Sequence, residues 1–302
     1  MPVPSPSPAP FRALLRAFRA QRPLRGGSLL VTIFGDAIAP RGGAVTLGSL
    51  IRLAAPFGLT ERLVRTSVAR LAREGWLATR RAGRRSEYRL SRRGAQRFAE
   101  ATRRIYGGQP PWDGHWTLLL LANGRRPHAV RAMLRWLGYG QLAAGVYAHP
   151  GVGEAHSPAL RGLPGLGGAL LLRSRAQGGT AERQLVRRGW DLQQLARGYR
   201  RFLRSFAALE PHVRSARLTP EEAFLVRTLL IHEYRKIHLQ DPLLPRSLLP
   251  RAWVGSQAYE LTRRIYRAVF ARAEAHLSRH AHRLHSKLPA ASRSARARFR
   301  AR

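Results

Sequence analysis

The chain of 302 residues contains no cysteine, and its other notable shortages are lysine and acidic side chains. Without cysteine it has no disulfide, no thiolate zinc site, no iron–sulfur cluster and no cysteine nucleophile. Lys236 and Lys287 are the only lysines, so arginine supplies nearly all of the 54 basic residues. Against only 16 acidic residues this leaves a net charge of +38.

Long apolar runs and a signal-peptide pattern are also missing. The run at residues 118–122 is far shorter than the ~20 residues that cross a bilayer. We therefore expect a cytoplasmic, nucleoid-associated protein with no membrane partner. The hydrophobic content of 44% excludes a disordered polycation. The positive charge favours nucleic acids as partners, but it is spread along the whole chain, so local clusters of arginine must support that assignment.

Changes in composition predict five segments. Residues 1–25 alternate proline with small residues at their start and are expected to be a disordered tail, and residues 288–302 are expected to be a basic disordered tail. Between them we expect an N-terminal winged helix-turn-helix domain (26–108), a ferredoxin-like α+β middle domain (109–188) and a helical effector and dimerisation domain (189–287). The predicted fold class is α+β and multidomain.

Residues 26–108 carry the pattern of a winged helix. Thr46 and Thr60 are suitable N-caps for two helices that are separated by a sharp break at residues 56–59, and Gly75 ends the second helix. Two short strands follow, and Gly83 permits a tight turn between them. Helix, turn, helix and hairpin is the arrangement that presents one helix to a DNA groove.

Basic side chains concentrate on the helix after Thr60 and on the hairpin. The residues expected to enter the major groove are Arg62, Arg65, Thr66, Ser67 and Arg70, because arginine reads guanine through paired hydrogen bonds. The arginines expected to hold the DNA backbone or minor groove are Arg80, Arg81, Arg84 and Arg85. For the helix alone, an ordinary solvated face rich in arginine is the alternative interpretation.

The middle segment has the order β-α-β-β, then a Gly/Pro-rich interval, then β, which suggests a ferredoxin-like fold. The C-terminal segment combines cations that suit phosphates with aromatic surface that suits an acyl group, which is the chemistry of an acyl-coenzyme A. Its candidate effector-binding residues are Arg227, Tyr234, Arg235, Lys236 and Trp253. Alternatively, residues 241–250 form a rigid buried connector, with Arg235 paired to Glu233 or Asp241.

Several of these motifs together resemble the PaaX family, bacterial repressors of phenylacetic-acid degradation operons. The similarity is carried by residues 58–77 and 83–90 and above all by residues 232–245, and it covers about residues 25–280. It implies a transcriptional repressor with no cofactor, released by phenylacetyl-coenzyme A or a related acyl-coenzyme A. The chain departs from the family at residues 251–255, which lack the usual aspartate before Trp253 and the proline after it.

The middle domain of that family is similar in fold to small CRISPR-associated nucleases, so an enzyme has to be weighed. Metal-dependent cleavage needs clustered carboxylates, whereas residues 109–188 hold only Asp113, Glu154 and Glu182. His276 and His280 are one helical turn apart, but no further metal ligand is identified. We therefore predict no enzyme activity and no metal.

The predicted protein is a homodimer that binds a palindromic operator in double-stranded DNA. Its half-sites would lie about one helical turn (~10 bp) apart, or a multiple of that. Two alternatives stay open. A nonspecific nucleic-acid-binding protein would give no discrete footprint, and a nuclease built on the middle domain would nick DNA in the presence of metal.

Overall fold

The structure is a computed structural model that describes residues 7–24, 26–108, 112–121, 128–151, 168–215 and 218–299. It divides the chain into two compact units. The first contains Met1–Gly107, Arg201–Arg235 and Gln257–Arg302, and the second contains Gly108–Arg200 and Lys236–Ser256. The α+β class and the helical C-terminal region agree with the sequence. Both units include C-terminal residues, whereas composition predicted three consecutive domains.

The N-terminal part of the first unit alternates short helices with three strands. Its elements are α1 (Ala9–Arg19), α2 (Gly26–Ile33), β1 (Ala44–Thr46), α3 (Leu47–Ala54), α4 (Glu61–Arg73), β2 (Leu77–Ala82), β3 (Arg85–Leu90) and α5 (Arg92–Tyr106). The sheet is antiparallel with the order β1-β3-β2. A π-helical turn, Phe34–Ile38, continues α2, and Val64 and Val68 of α4 are fully buried in the core.

The N-caps of these helices follow from the sequence. The side chains of Thr46, Thr60 and Ser91 accept hydrogen bonds from backbone N–H groups at the starts of α3, α4 and α5. Each of these bonds satisfies one N–H group that the helix itself leaves without a partner. The expected helix-break-helix pattern is therefore present, and Gly58, at a φ of 85°, lies in the break that precedes α4.

The second unit is built around a four-stranded antiparallel sheet. Its strands are β4 (Trp116–Leu120), β5 (Gly140–Ala143), β6 (Val146–Pro150) and β7 (Leu170–Ser174), in the order β5-β6-β4-β7. Helix α6 (His128–Trp136) packs on the sheet through a core that includes Leu119, Leu134 and Tyr147, and α7 (Gly178–Gly189) precedes the C-terminal helices.

Helices dominate the rest of the chain. They are α8 (Leu192–Phe206), α9 (Glu210–Arg214), α10 (Pro220–His238), α11 (Val254–His280) and the short α12 (Arg293–Arg296). Three of them, α8, α10 and α11, contribute residues to both units. None of the helices in the described part of the chain is long and apolar enough to cross a membrane.

The two terminal segments differ from the disordered tails that were expected. Helix α1 buries Phe11, Leu15 and Phe18, whose spacing places them on one helical face. At the other end, Phe299 is buried against the rings of Tyr106 and Tyr266. Composition did not predict this burial, because residues 288–302 alternate arginine with small residues and contain one aromatic residue, Phe299. Residues 1–6 and 300–302, also assigned to the tails, lie outside the described residues.

Candidate nucleic-acid interface

Helix α4 has one buried face and one exposed basic face. Val64, Val68 and Leu71 are buried. The side chains on the opposite, exposed face are Arg62, Arg65, Thr66, Ala69, Arg70 and Arg73. Their spacing of three and four residues makes this face continuous along the helix.

Ser67 is the exception among the predicted groove residues. It is 6% exposed and lies on the buried side of α4. Its spacing from Val64 and Leu71, three and four residues, places it in the core stripe. Ser67 also lines the cleft between α2 and α4, beside Thr66 and Arg70, and its contact with DNA stays a prediction.

Two arginines on the exposed face have acidic neighbours on the same helix. Arg65 Nε donates to Glu61 Oε1 at 2.8 Å, and Arg70 Nε lies 3.7 Å from Glu74 Oε1. All four side chains are at least half exposed. Exposed pairs of this kind contribute only about 0.3–0.5 kcal/mol. A phosphate or a base edge can therefore replace either carboxylate at little cost.

Arg70 is also held by close packing at the start of α2. A Cβ atom added to Gly27 would lie 2.2 Å from Arg70 Nη2. The guanidinium group therefore occupies the space that any larger residue at position 27 would fill. Together with Thr66 it lines a cleft of about 450 Å³ between α2 and α4.

Strands β2 and β3 form a basic hairpin. All six residues of β2 pair with β3, and the tight turn consists of Gly83, at a φ of 55°, and Arg84. The four predicted arginines, Arg80, Arg81, Arg84 and Arg85, are all exposed. The hairpin thus presents its cations to solvent directly after α4, as its sequence position predicted.

The side chain of Arg227 is used inside the first unit rather than at an effector site. Its Nε donates to Asp36 Oδ2 at 2.6 Å, and both side chains are at most 3% exposed. The same carboxylate accepts hydrogen bonds from Tyr106, Tyr266 and Arg298 at 2.7–3.1 Å. Burial opposes the charge of Asp36, but Arg227 and Arg298 outweigh it and lower the pKa of the carboxyl group.

This buried cluster extends to Glu274. Its carboxylate accepts hydrogen bonds from Arg227, at 2.6 Å, and from Arg41. Burial opposes the charge of Arg227, but Asp36, Tyr266 and Glu274 raise its pKa well above the ordinary value. Arg227 therefore stays charged and fully engaged, and its prediction as an effector-binding residue is corrected.

Arg235 and Tyr234 also have structural roles. Arg235 donates to Thr32 Oγ1 and to the carbonyl oxygen of Ser28, both at 2.7 Å. Its hydrogen-bond partners are therefore on α2. Burial lowers the pKa of Arg235, and the charges of Tyr106 and Glu233 oppose that shift. Tyr234 is completely buried, with its ring 5.6 Å from that of Phe202. These contacts hold residues 234 and 235 within the first unit, with Tyr234 buried and Arg235 partly exposed.

The remaining two candidate effector residues belong to the second unit. Lys236 is exposed. Trp253 is buried, and its ring meets that of Tyr199 edge to face at 6.2 Å. The Tyr199 hydroxyl donates to Asp241 at 2.7 Å. Most of residues 241–250 are buried, which agrees with the alternative of a rigid connector.

The carboxylates weighed for a nuclease are Asp113, Glu154 and Glu182. Asp113 is bound to Arg173 at 2.7 Å, and the hydrogen bond from the backbone of His115 lowers the pKa of this exposed carboxyl group. Glu154 lies outside the described residues. Within the described part of the chain, no three His, Asp or Glu side chains are grouped so that they could hold a metal ion.

Comparison with known proteins places these elements in a family. A family model described as PaaX-like protein matches residues 25–94, and one described as PaaX-like protein C-terminal domain matches residues 190–279. The transcriptional repressor PaaX of Escherichia coli (strain K12) is 39% identical over 282 residues, which cover 89% of this chain and 88% of the relative. The chain belongs to the PaaX-like protein family.

A solved structure extends the comparison to the fold. An uncharacterized protein from Mycobacterium tuberculosis is 24% identical and matches with a TM-score of 0.50, over 75% of this chain and 89% of its own. At this identity the similarity concerns the fold alone. The first PaaX-like match, residues 25–94, includes both α4 and the basic hairpin.

Two groups of residues were missed by the sequence analysis. Asp36 organises the buried cluster, and an acid within the apolar segment of residues 29–38 is a signal that could have identified it, since a buried charge needs a partner. Arg283 lies beside the basic hairpin, almost 200 residues from it in sequence. No local pattern could have predicted that contact.

Proposed function

We propose that this protein is a DNA-binding transcriptional repressor. The observation that supports it most directly is the exposed basic face of α4, followed at once by a hairpin whose arginines are all exposed. The name of the Escherichia coli relative, a transcriptional repressor, supports the same function. Helices α2 to α4 and the β1-β3-β2 sheet would form a winged helix, with α4 in the major groove and the basic hairpin on the backbone.

The second unit would have a ferredoxin-like fold and no catalytic role. Its strand order β5-β6-β4-β7, with every neighbouring pair antiparallel, supports this assignment. The pairing of Asp113 with Arg173 supports a regulator over a nuclease. We propose a homodimer on a palindromic operator, in the cytoplasm, as the arrangement in which two α4 helices reach successive major grooves.

Footprinting tests the repressor function. The full-length protein is expected to protect a discrete site upstream of neighbouring catabolic genes, and a random duplex of equal length is expected to bind far more weakly. Specific binding typically exceeds nonspecific binding by about 10³–10⁷. Equal affinity for both duplexes would support the nonspecific nucleic-acid-binding alternative, and metal-dependent nicking would support the nuclease.

An acyl-coenzyme A, of the phenylacetyl type, is proposed as the effector on the basis of the family resemblance. Arg227 and Tyr234 are buried, and Arg235 donates hydrogen bonds to α2, so the ligand is proposed without an assigned pocket. Calorimetry on the whole chain should give binding of phenylacetyl-coenzyme A, but not of phenylacetate. If the thioester lowers DNA affinity, DNA must lower thioester affinity by the same factor. Failure of the thioester to bind would refute this effector.

A further inference from the structure

The residues that follow α11 form a small hairpin, which we call the C-terminal hairpin (residues 281–288). His282 and Lys287 pair as an antiparallel β-bridge. The backbone N–H of Arg283 donates to the carbonyl oxygen of Ser286 at 2.8 Å. Residues 279–287 contain six basic or imidazole side chains and no acid.

Four hydrogen bonds fix the C-terminal hairpin to the proposed winged helix. The carbonyl oxygen of His282 accepts from the N–H of Thr46 at 2.9 Å, and the N–H of His282 donates to Ser49 Oγ at 3.0 Å. The N–H of Leu284 donates to Glu87 Oε2 at 3.0 Å. Arg283 Nη2 donates to the carbonyl oxygen of Arg41 at 3.2 Å. The hairpin is therefore held against β1, β3 and the start of α3.

A basic cleft of about 580 Å³ lies between the two hairpins. Arg80 and Arg89 line it from the strands, and Arg283 and His285 line it from the C-terminal hairpin. The cleft also contains Glu87, which is buried and already accepts a hydrogen bond from Leu284. Arg283 Nε is buried without a hydrogen-bond partner in the part of the chain that the structure describes.

We propose that the C-terminal hairpin is a second DNA-binding wing. Its side chains and the arginines of the basic hairpin would bind phosphates of the same duplex, because the cleft offers donors from both and little competing negative charge. His285 and Lys287 are exposed at the outer edge of this surface. The inference rests on the proposed DNA-binding function and adds a specific surface to it.

The absence of cysteine allows a direct test of proximity. His285→Cys, Arg84→Cys and Arg267→Cys each introduce one thiol at an exposed position, in the C-terminal hairpin, the basic hairpin and the middle of α11. Each full-length variant is labelled with an iron–EDTA reagent and bound to the footprinted operator. We expect the probe at position 285 to cut the duplex next to the sites cut from position 84, and the probe at position 267 to cut at background level.

The outcomes separate the inference from the proposed function. If the labelled proteins protect the operator but position 285 cuts no more than position 267, the second wing is refuted and the repressor stands. If none of the variants, nor the parent, binds DNA, the proposed function and the inference both fail.

A salt titration provides an independent measurement. Each phosphate contact contributes about 0.9 to the slope of log K against log salt concentration. We therefore expect the affinity advantage of the parent over Lys287→Ala to shrink about 3.5-fold between 50 and 200 mM salt. The effect should be equal on operator and random duplexes, and Arg267→Ala should leave the slope unchanged. Lys287→Ala should retain the fold, because the side chain is exposed. If its slope of log K against log salt concentration equals that of the parent, a phosphate contact by this lysine is refuted.

Discussion

Replacing Asp36 with asparagine should strongly destabilise the first unit. The carboxylate is 3% exposed and holds Arg227 and Arg298 by ion pairs of 2.6 and 3.1 Å. Asparagine has nearly the same shape but no charge, and its amide can place a donor opposite another donor. Arg227 would keep Glu274, whereas Arg298 would lose its only carboxylate among the described residues.

The magnitude follows from leaving a buried cation without its counter-ion. Breaking a buried pair by removing one partner costs about 3–5 kcal/mol. For a unit of this size, each kcal/mol corresponds to roughly 2–4 °C in Tm. Denaturant unfolding of the parent and of Asp36→Asn, followed by circular dichroism, measures the loss directly. The matched control is Glu61→Gln, which removes the exposed partner of Arg65 and should cost only about 0.3–0.5 kcal/mol.

The pH dependence of the loss gives a second check. Asp36 has a pKa below its ordinary value of 3.8 in the folded protein. The contribution of Asp36 to the free energy of unfolding is therefore complete above the pKa that this residue has in the unfolded chain. It disappears as the pH falls through the lower pKa of the folded protein. The difference in free energy of unfolding between the parent and Asp36→Asn should therefore decrease at acid pH. A free energy of unfolding within 1 kcal/mol of the parent at neutral pH (roughly the cost of an exposed pair) would refute the structural role of this cluster.

Three further predictions concern the interface and the helices behind it. Arg65→Ala should cost about 1–3 kcal/mol of binding free energy at one base pair of the operator. Arg84→Ala should weaken binding to all DNA sequences alike and lower the slope of log K against log salt concentration by about 0.9. Gel shifts that show equal losses on operator and random DNA for both variants would contradict this division. Gly27→Ala should displace the guanidinium of Arg70 and reduce DNA affinity by less than Arg70→Ala, because the displaced cation stays on α4. A loss in Gly27→Ala as large as in Arg70→Ala would contradict this. Burial and the charges of His280 and Arg279 lower the pKa of His276 to about 4. The free energy of unfolding of the parent should therefore fall between pH 6.5 and 4, and His276→Gln should reduce that fall. The same pH dependence of unfolding in both proteins would contradict the lowered pKa.

Local patterns predicted the parts of the interface that depend on neighbours in sequence. The caps at Thr46 and Thr60, the buried stripe of α4 and the turn at Gly83 each involve residues within a few positions of one another. Such features are determined by backbone conformation and helical or strand periodicity. The exposed arginines of α4 and the hairpin could therefore be identified from the amino-acid sequence alone.

Contacts between distant residues could not be predicted in this way. Arg227 was predicted to bind a phosphate because its side chain is a cation, but its partner Asp36 lies 191 positions earlier. Arg235 was matched with nearby acids, whereas it binds Ser28 and Thr32, more than 200 positions away. One sequence shows which side chains need partners, but only the fold decides which distant group supplies them. Arginine-rich composition made this harder, because almost every segment offered a plausible cation.

The contact between Arg298 and Asp36 has a consequence for biosynthesis. The two residues are 262 positions apart, so at about 5–20 residues per second the ribosome adds the second roughly 13–50 s after the first. The N-terminal region must therefore wait until residue 298 has been synthesised before Asp36 receives its last cation. Chains that end before residue 298 should therefore unfold at a lower denaturant concentration than the 302-residue chain, because Asp36 loses this cation.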